Sequence, residues 1–79
     1  MNKELIREVL SNHGKLSVDV QTLNDSSDLY EAGLTSLATV GFMLALEDAF
    51  DIEFPDSLLG RNTFSSIDSI SDAIEEVIG

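Results

Sequence analysis

Ser36 stands where a polar, turn-forming stretch, Asp28-Leu29-Tyr30-Glu31-Ala32-Gly33-Leu34-Thr35, gives way to a long apolar helical pattern ending Leu46-Glu47-Asp48-Ala49-Phe50. A hydroxyl at such a junction can do one of two things. It can accept from a free amide of the first turn and cap the helix, which on local physics is the simpler reading of Thr35-Ser36. It can also bear a phosphodiester, because the unpaired amides and positive dipole end of a helix N-terminus favour an anion. In that case Leu37, Val40 and Leu44, one to two turns on, would shelter what hangs from it. At this level both readings stay open.

The remaining reactive side chains offer less. Asp48, Asp51, Glu53 and Asp56 lie close together, but the ordered acids, central Gly and terminal Glu of a calcium loop are absent from this stretch. His13 is the only His and there is no Cys, so no His/Cys metal site can be assembled. A hydrolytic Ser–His–acid site would need Ser36 beside His13 with an oxyanion hole, and no Gly-rich turn of the required kind occurs. His13 is therefore expected to serve as a surface or helix-end residue. No catalytic residue and no metal ligand is expected, and the chain reads as a non-enzyme.

Composition narrows the partners. Seventy-nine residues with 43% hydrophobic side chains can bury one small core, so residues 1–79 are expected to form a single domain. Fifteen acids against four bases give a net charge of −11, which opposes nucleic acid and anionic membranes. Lys3, Arg7 and Lys15 are followed by no base until Arg61, so the middle of the molecule should steer basic partners towards it. No apolar run reaches the ~18 residues of a membrane span, and Met1-Asn2-Lys3-Glu4 lacks a signal-peptide pattern. A cytoplasmic monomer without membrane insertion is the expectation.

The elements that must position Ser36 follow from periodicity. Leu5, Ile6, Val9 and Leu10 mark a first helix over 3–13, with Asn2 as its cap, Glu4 supporting Arg7, and Gly14 ending it in a left-handed conformation. Residues 15–35 form a long loop, tethered to the core by Leu16, Val18, Val20 and Leu23, with a turn at Asn24-Asp25-Ser26-Ser27-Asp28. The central helix spans 36–50. Its wheel places Ala38, Phe42, Ala45, Leu46 and Ala49 towards the core, and Leu37, Val40, Leu44, Glu47 and Asp48 on the opposite side with Gly41. Met43 and Phe50 fall on the border. Asp51-Ile52-Glu53-Phe54 alternates but is too short to found a sheet. Pro55 opens a short helix over Asp56–Arg61, and the last helix runs from Ser66 to Ile78, capped by Ser65 with Asp68, with Ile67, Ile70, Ala73, Ile74 and Val77 inward. The expected fold is all-α: a small four-helix bundle of three main helices and one short one, with a long first loop.

Read whole, the chain resembles an acyl carrier protein of the phosphopantetheine-binding family. The resemblance rests on Asp28-Leu29-Tyr30-Glu31-Ala32-Gly33-Leu34-Thr35-Ser36-Leu37, followed at the family's spacing by Leu46-Glu47-Asp48-Ala49-Phe50 and Ile52-Glu53-Phe54-Pro55-Asp56. It implies that a phosphopantetheinyl transferase esterifies Ser36 to 4′-phosphopantetheine, whose thiol carries cargo as a thioester. It implies docking of partner enzymes bearing basic patches, namely a loading ligase and downstream transferases, on Thr35, Leu37, Val40, Leu44, Glu47 and Asp48. It implies that sheltered cargo lies among core-facing residues such as Phe42 and Leu46. Thr35 replaces the family's usual Asp before the Ser, and Ala38 and Gly41 replace acids found early in the helix. These departures point away from housekeeping fatty acid synthesis and towards a specialised acyl carrier of a lipid or secondary-metabolite pathway. The alternatives are a housekeeping fatty acid synthesis carrier and an aminoacyl carrier: Ala32-Gly33-Leu34-Thr35-Ser36 and Leu44 to Asp56 are similar to the stand-alone bacterial carriers loaded by ligases resembling class II aminoacyl-tRNA synthetases.

Overall fold

The apolar stripes of three helices meet in one core. In the computed structural model, which describes residues 2–78, α1 spans Asn2–His13, α2 Ser36–Phe50 and α3 Ile67–Ile78, and α1 packs against both of the others. Ile6 and Leu10 from α1, Leu29 from the loop, Phe42 and Leu46 from α2, and Ile67, Ile70 and Ile74 from α3 are all fully buried. Phe64 lies edge-on to both Phe42 and Phe54, with ring centroids 6.4 and 5.6 Å apart, which ties the chain after α2 into the same core.

The all-helical fold is as expected, with differences at its joints. The expected short helix over Asp56–Arg61 is a single 3-10 turn, Asp56–Leu58, and the long loop contains another, Val20–Thr22. Pro55 makes no side-chain cap, and backbone bonds from Leu58 and Leu59 close one turn before Leu59 departs from helical geometry. Asn2 lies inside α1 rather than capping it. Gly14 ends α1 for a steric reason instead of a conformational one. A Cβ there would sit 2.6 Å from Leu10 Cδ1, and Lys15 takes the left-handed conformation at φ 52°. Ser66 and Ser69, one residue on from the expected pair Ser65 and Asp68, form the reciprocal cap of α3. Each hydroxyl accepts from the other's backbone N–H at 3.1 Å.

The loop is held by polar as well as apolar links. Arg7 does not pair with Glu4; its guanidinium donates to Val20 O at 2.9 Å and to Asp25 Oδ1 at 2.8 Å. Lys3 reaches Asp68 at 2.8 Å and Asp25 at 3.6 Å, so one cluster joins α1, the loop and α3. Val18, expected to be a tether, is exposed because the contact there is made by its neighbour: Ser17 bonds through N and Oγ to Ala32 O. Gly33, at φ 112°, lies so close to Ser17 that a Cβ would meet its Oγ at 2.9 Å. Leu29 N donates to Ser65 O at 2.8 Å and Leu34 N to Leu29 O at 2.9 Å. These bonds deliver the chain to the start of α2 in a fixed position.

Candidate functional site

Thr35 and Ser36 divide the two roles left open by the sequence. Thr35 is the cap: its backbone is extended, its Oγ1 accepts from Ala38 N at 3.1 Å, and its carbonyl accepts from Thr39 N at 2.9 Å. Ser36 is the first helical residue, exposed, and its hydroxyl has no hydrogen-bond partner among the described residues. Capping therefore does not engage the Ser36 oxygen, which is free to be derivatised.

The two faces of α2 separate as the wheel predicts. Leu37, Val40 and Leu44 are 86, 53 and 55% exposed, while Phe42 and Leu46 are completely buried. Met43 and Phe50 are half-buried, as befits the border. Ala49, placed with the core face by periodicity, is exposed; half-buried Phe50 and Ile52 pack on that end of the core instead. Glu47 and Asp48 differ from each other. Asp48 is exposed, whereas Glu47 is half-buried and its carboxylate accepts from Phe54 N at 2.7 Å. With Asp51 left-handed at φ 53° and Ile52 N donating to Glu47 O, this contact turns the chain sharply out of α2.

Beside Ser36 lies a groove of about 330 Å³ that the sequence did not disclose. Tyr30, Thr39, Val40, Met43, Leu59, Arg61 and Phe64 line it together with Ser36. Phe42 and Leu46, expected to shelter cargo, do not line this groove; they belong to the filled core beneath it. On the other side of the α2 N-terminus, His13 and Lys15 flank a second hollow with Thr35, Leu37 and Gly41. Among the described residues no hydrogen bond joins His13 to Ser36, and no three His, Cys, Asp or Glu are arranged to hold a metal. Nor is any helix long and apolar enough to cross a membrane.

A free, exposed hydroxyl at the mouth of a partly apolar groove fits a covalently tethered arm: Ser36 would bear it, and the groove walls would contact it. The comparisons with known proteins give the family. Residues 3–74 match the family described as "Phosphopantetheine attachment site". The aminoacyl carrier protein of Agrobacterium fabrum is 51% identical over 73 residues, which cover 92% of this chain and 88% of that protein. A D-alanyl carrier protein of Streptococcus uberis is 37% identical over 60 residues, 75% of each chain. Among solved structures, a chain of the engineered Bradyrhizobium japonicum glycine:[carrier protein] ligase complexed with carrier protein from Agrobacterium tumefaciens and ATP superposes with a TM-score of 0.94. That match has 48% identity and covers 98% of this chain and 100% of the other. The chain belongs to the phosphopantetheine-binding family, as a carrier protein and not an enzyme, with 4′-phosphopantetheine as its covalent cofactor.

Proposed function

We propose that this chain is an aminoacyl carrier protein, with the cofactor on Ser36 and an amino acid held on it as a thioester. The observation that carries the reading is 51% identity, over nearly the whole chain, to an aminoacyl carrier protein. The 0.94 superposition on a chain from a glycine:[carrier protein] ligase complex supports it. The comparisons thus favour the aminoacyl alternative over the specialised acyl carrier of a lipid or secondary-metabolite pathway.

The site is consistent with this chemistry. In the modification, the Ser36 oxygen forms a bond to the phosphorus that carries pantetheine in coenzyme A. The pyrophosphate link breaks, adenosine 3′,5′-bisphosphate leaves, and the hydroxyl proton passes to a base of the phosphopantetheinyl transferase. Once attached, the cofactor supplies the thiol that the Cys-free chain lacks. Phe42 and Leu46 are fully buried in a packed core, so inserting a long acyl chain between them would force the core open. A small amino acid needs no such opening.

Docking is proposed on the exposed side of α2, through Thr35, Leu37, Val40, Leu44 and Asp48. Since Glu47 is bonded to Phe54 N, this face offers a loading ligase an apolar ridge ending in one free carboxylate rather than a broad acidic surface. Intact-mass analysis after incubation with coenzyme A and a transferase tests the anchor. One phosphopantetheine should be added, and none to Ser36→Ala; a gain that survives the substitution would move the anchor elsewhere. Offering the modified protein glycine and D-alanine with their carrier ligases, and fatty acids with an acyl ligase, tests the cargo. Loading by the acyl ligase alone would overturn the aminoacyl reading.

A further inference from the structure

Arg61 is the only base between Lys15 and the end of a chain that carries fifteen acids. Lys3 is committed to ion pairs with Asp25 and Asp68, and Arg7 to one with Asp25. Arg61 forms no ion pair with any described residue; its guanidinium instead lies 3.9 Å from the centre of the Tyr30 ring. Both residues line the groove that begins at Ser36. The root of the Arg61 side chain is fixed, because Arg61 O accepts from Phe64 N at 3.2 Å and Phe64 is buried. Its exposed head is therefore held over the groove without a carboxylate to satisfy it.

The fold does not need a cation there, since Tyr30 could be covered by an uncharged side chain. A phosphodiester on Ser36 would add a negative charge to the mouth of a groove in which Arg61 is the sole cation. A guanidinium presents paired N–H donors that match two phosphate oxygens, and its planar face meanwhile rests on an aromatic ring. We infer that Arg61 is a positioning residue for the tethered arm, pairing with the phosphodiester on Ser36 and laying the start of pantetheine along the groove wall formed by Tyr30, Val40 and Met43. The inference rests on Ser36 as the anchor.

The experiment compares the phosphopantetheinylated protein with its Arg61→Gln and Arg61→Lys variants by phosphorus NMR, after intact mass has shown one arm on each. In the parent the phosphodiester resonance should be displaced from that of free phosphopantetheine and broadened by the slow tumbling of the protein. In Arg61→Gln it should move towards the free position and sharpen, corresponding to about a twofold fall in the clamped population, the scale of one exposed ion pair. Arg61→Lys should fall between them, as a point charge without the paired donors. Raising salt to about 1 M should carry the parent towards the Gln variant, because screening then acts within ~3 Å. An identical resonance and linewidth in parent and Arg61→Gln would overturn the role of Arg61 while leaving the anchor standing. No added mass and no phosphorus signal would overturn the anchor, and this inference with it.

Discussion

Thr35 and Ser36 carry the same functional group on adjacent residues, and the structure gives them opposite duties. Thr35 Oγ1 satisfies the Ala38 amide, whereas Ser36 Oγ has no hydrogen-bond partner among the described residues. Thr35→Ala should therefore lower stability by about 1 kcal/mol, read from the urea midpoint at unchanged slope, as expected for a lost N-cap. Thr35→Asp, which retains an acceptor, should recover most of that loss. Ser36→Ala should alter stability by less than about 0.5 kcal/mol while abolishing cofactor attachment. If Ser36→Ala proved the more destabilising of the two, the division of roles would be wrong. In the sequence this division was unreadable, because Thr and Ser are both good caps, Ser if anything the better, and the helix can start at either; one residue of phase decides it.

At the scale of the helix, α2 combines a face that holds the domain together with a face that does not. Phe42→Ala should cost roughly 3–5 kcal/mol, since the ring is wholly buried against Phe64. Leu44→Asp should leave the melting temperature nearly unchanged and weaken loading by the ligase; equal losses of stability for the two would refute the face assignment. Glu47→Ala should cost about 1–3 kcal/mol by leaving the amide of buried Phe54 without its acceptor, so any loss of loading in that variant must be separated from unfolding. Gly41 is exposed, and a Cβ there meets nothing within 4 Å. Gly41→Ala should raise stability by about 1 kcal/mol, and reduced loading in a stabilised protein would show that a partner's surface comes close to Gly41. Helical periodicity separated these faces well for Leu37, Val40, Phe42, Leu44 and Leu46. It failed at Ala49 and Glu47, where the helix ends and the returning chain, not the wheel, sets burial.

Across the whole molecule, the cluster of Lys3, Arg7, Asp25 and Asp68 ties the loop that presents Ser36 to α1 and α3. The hydrogen bond from the Arg7 guanidinium, reinforced by Lys3, holds the Asp25 carboxyl below its usual 3.8. The contribution of Asp25 is thus fully present above that value and is lost as pH falls through the depressed folded one. Lys3 is raised above its usual 10.5, chiefly by its hydrogen bond to Asp68, so its contribution is present below 10.5 and is lost as pH climbs through the raised value. Asp25→Asn should flatten the decline of the urea midpoint on the acid side, as pH falls below the usual 3.8 of the carboxyl, and leave the Lys3–Asp68 dependence on the alkaline side. An unchanged acid limb would show that the pair is too well solvated to matter. By itself the sequence determined the three amphipathic helices, most of the inward residues, the candidate Ser and the family, because periodicity, a junction hydroxyl and a spaced motif are all local properties of the chain. Only the tertiary structure decided which hydroxyl caps α2, that Arg7 binds Asp25 rather than Glu4, and that Tyr30 and Arg61 share a groove with Ser36. The first is a matter of one residue of helix phase; the other two depend on segments distant in sequence being brought together by a common core, and no local pattern records where such segments meet.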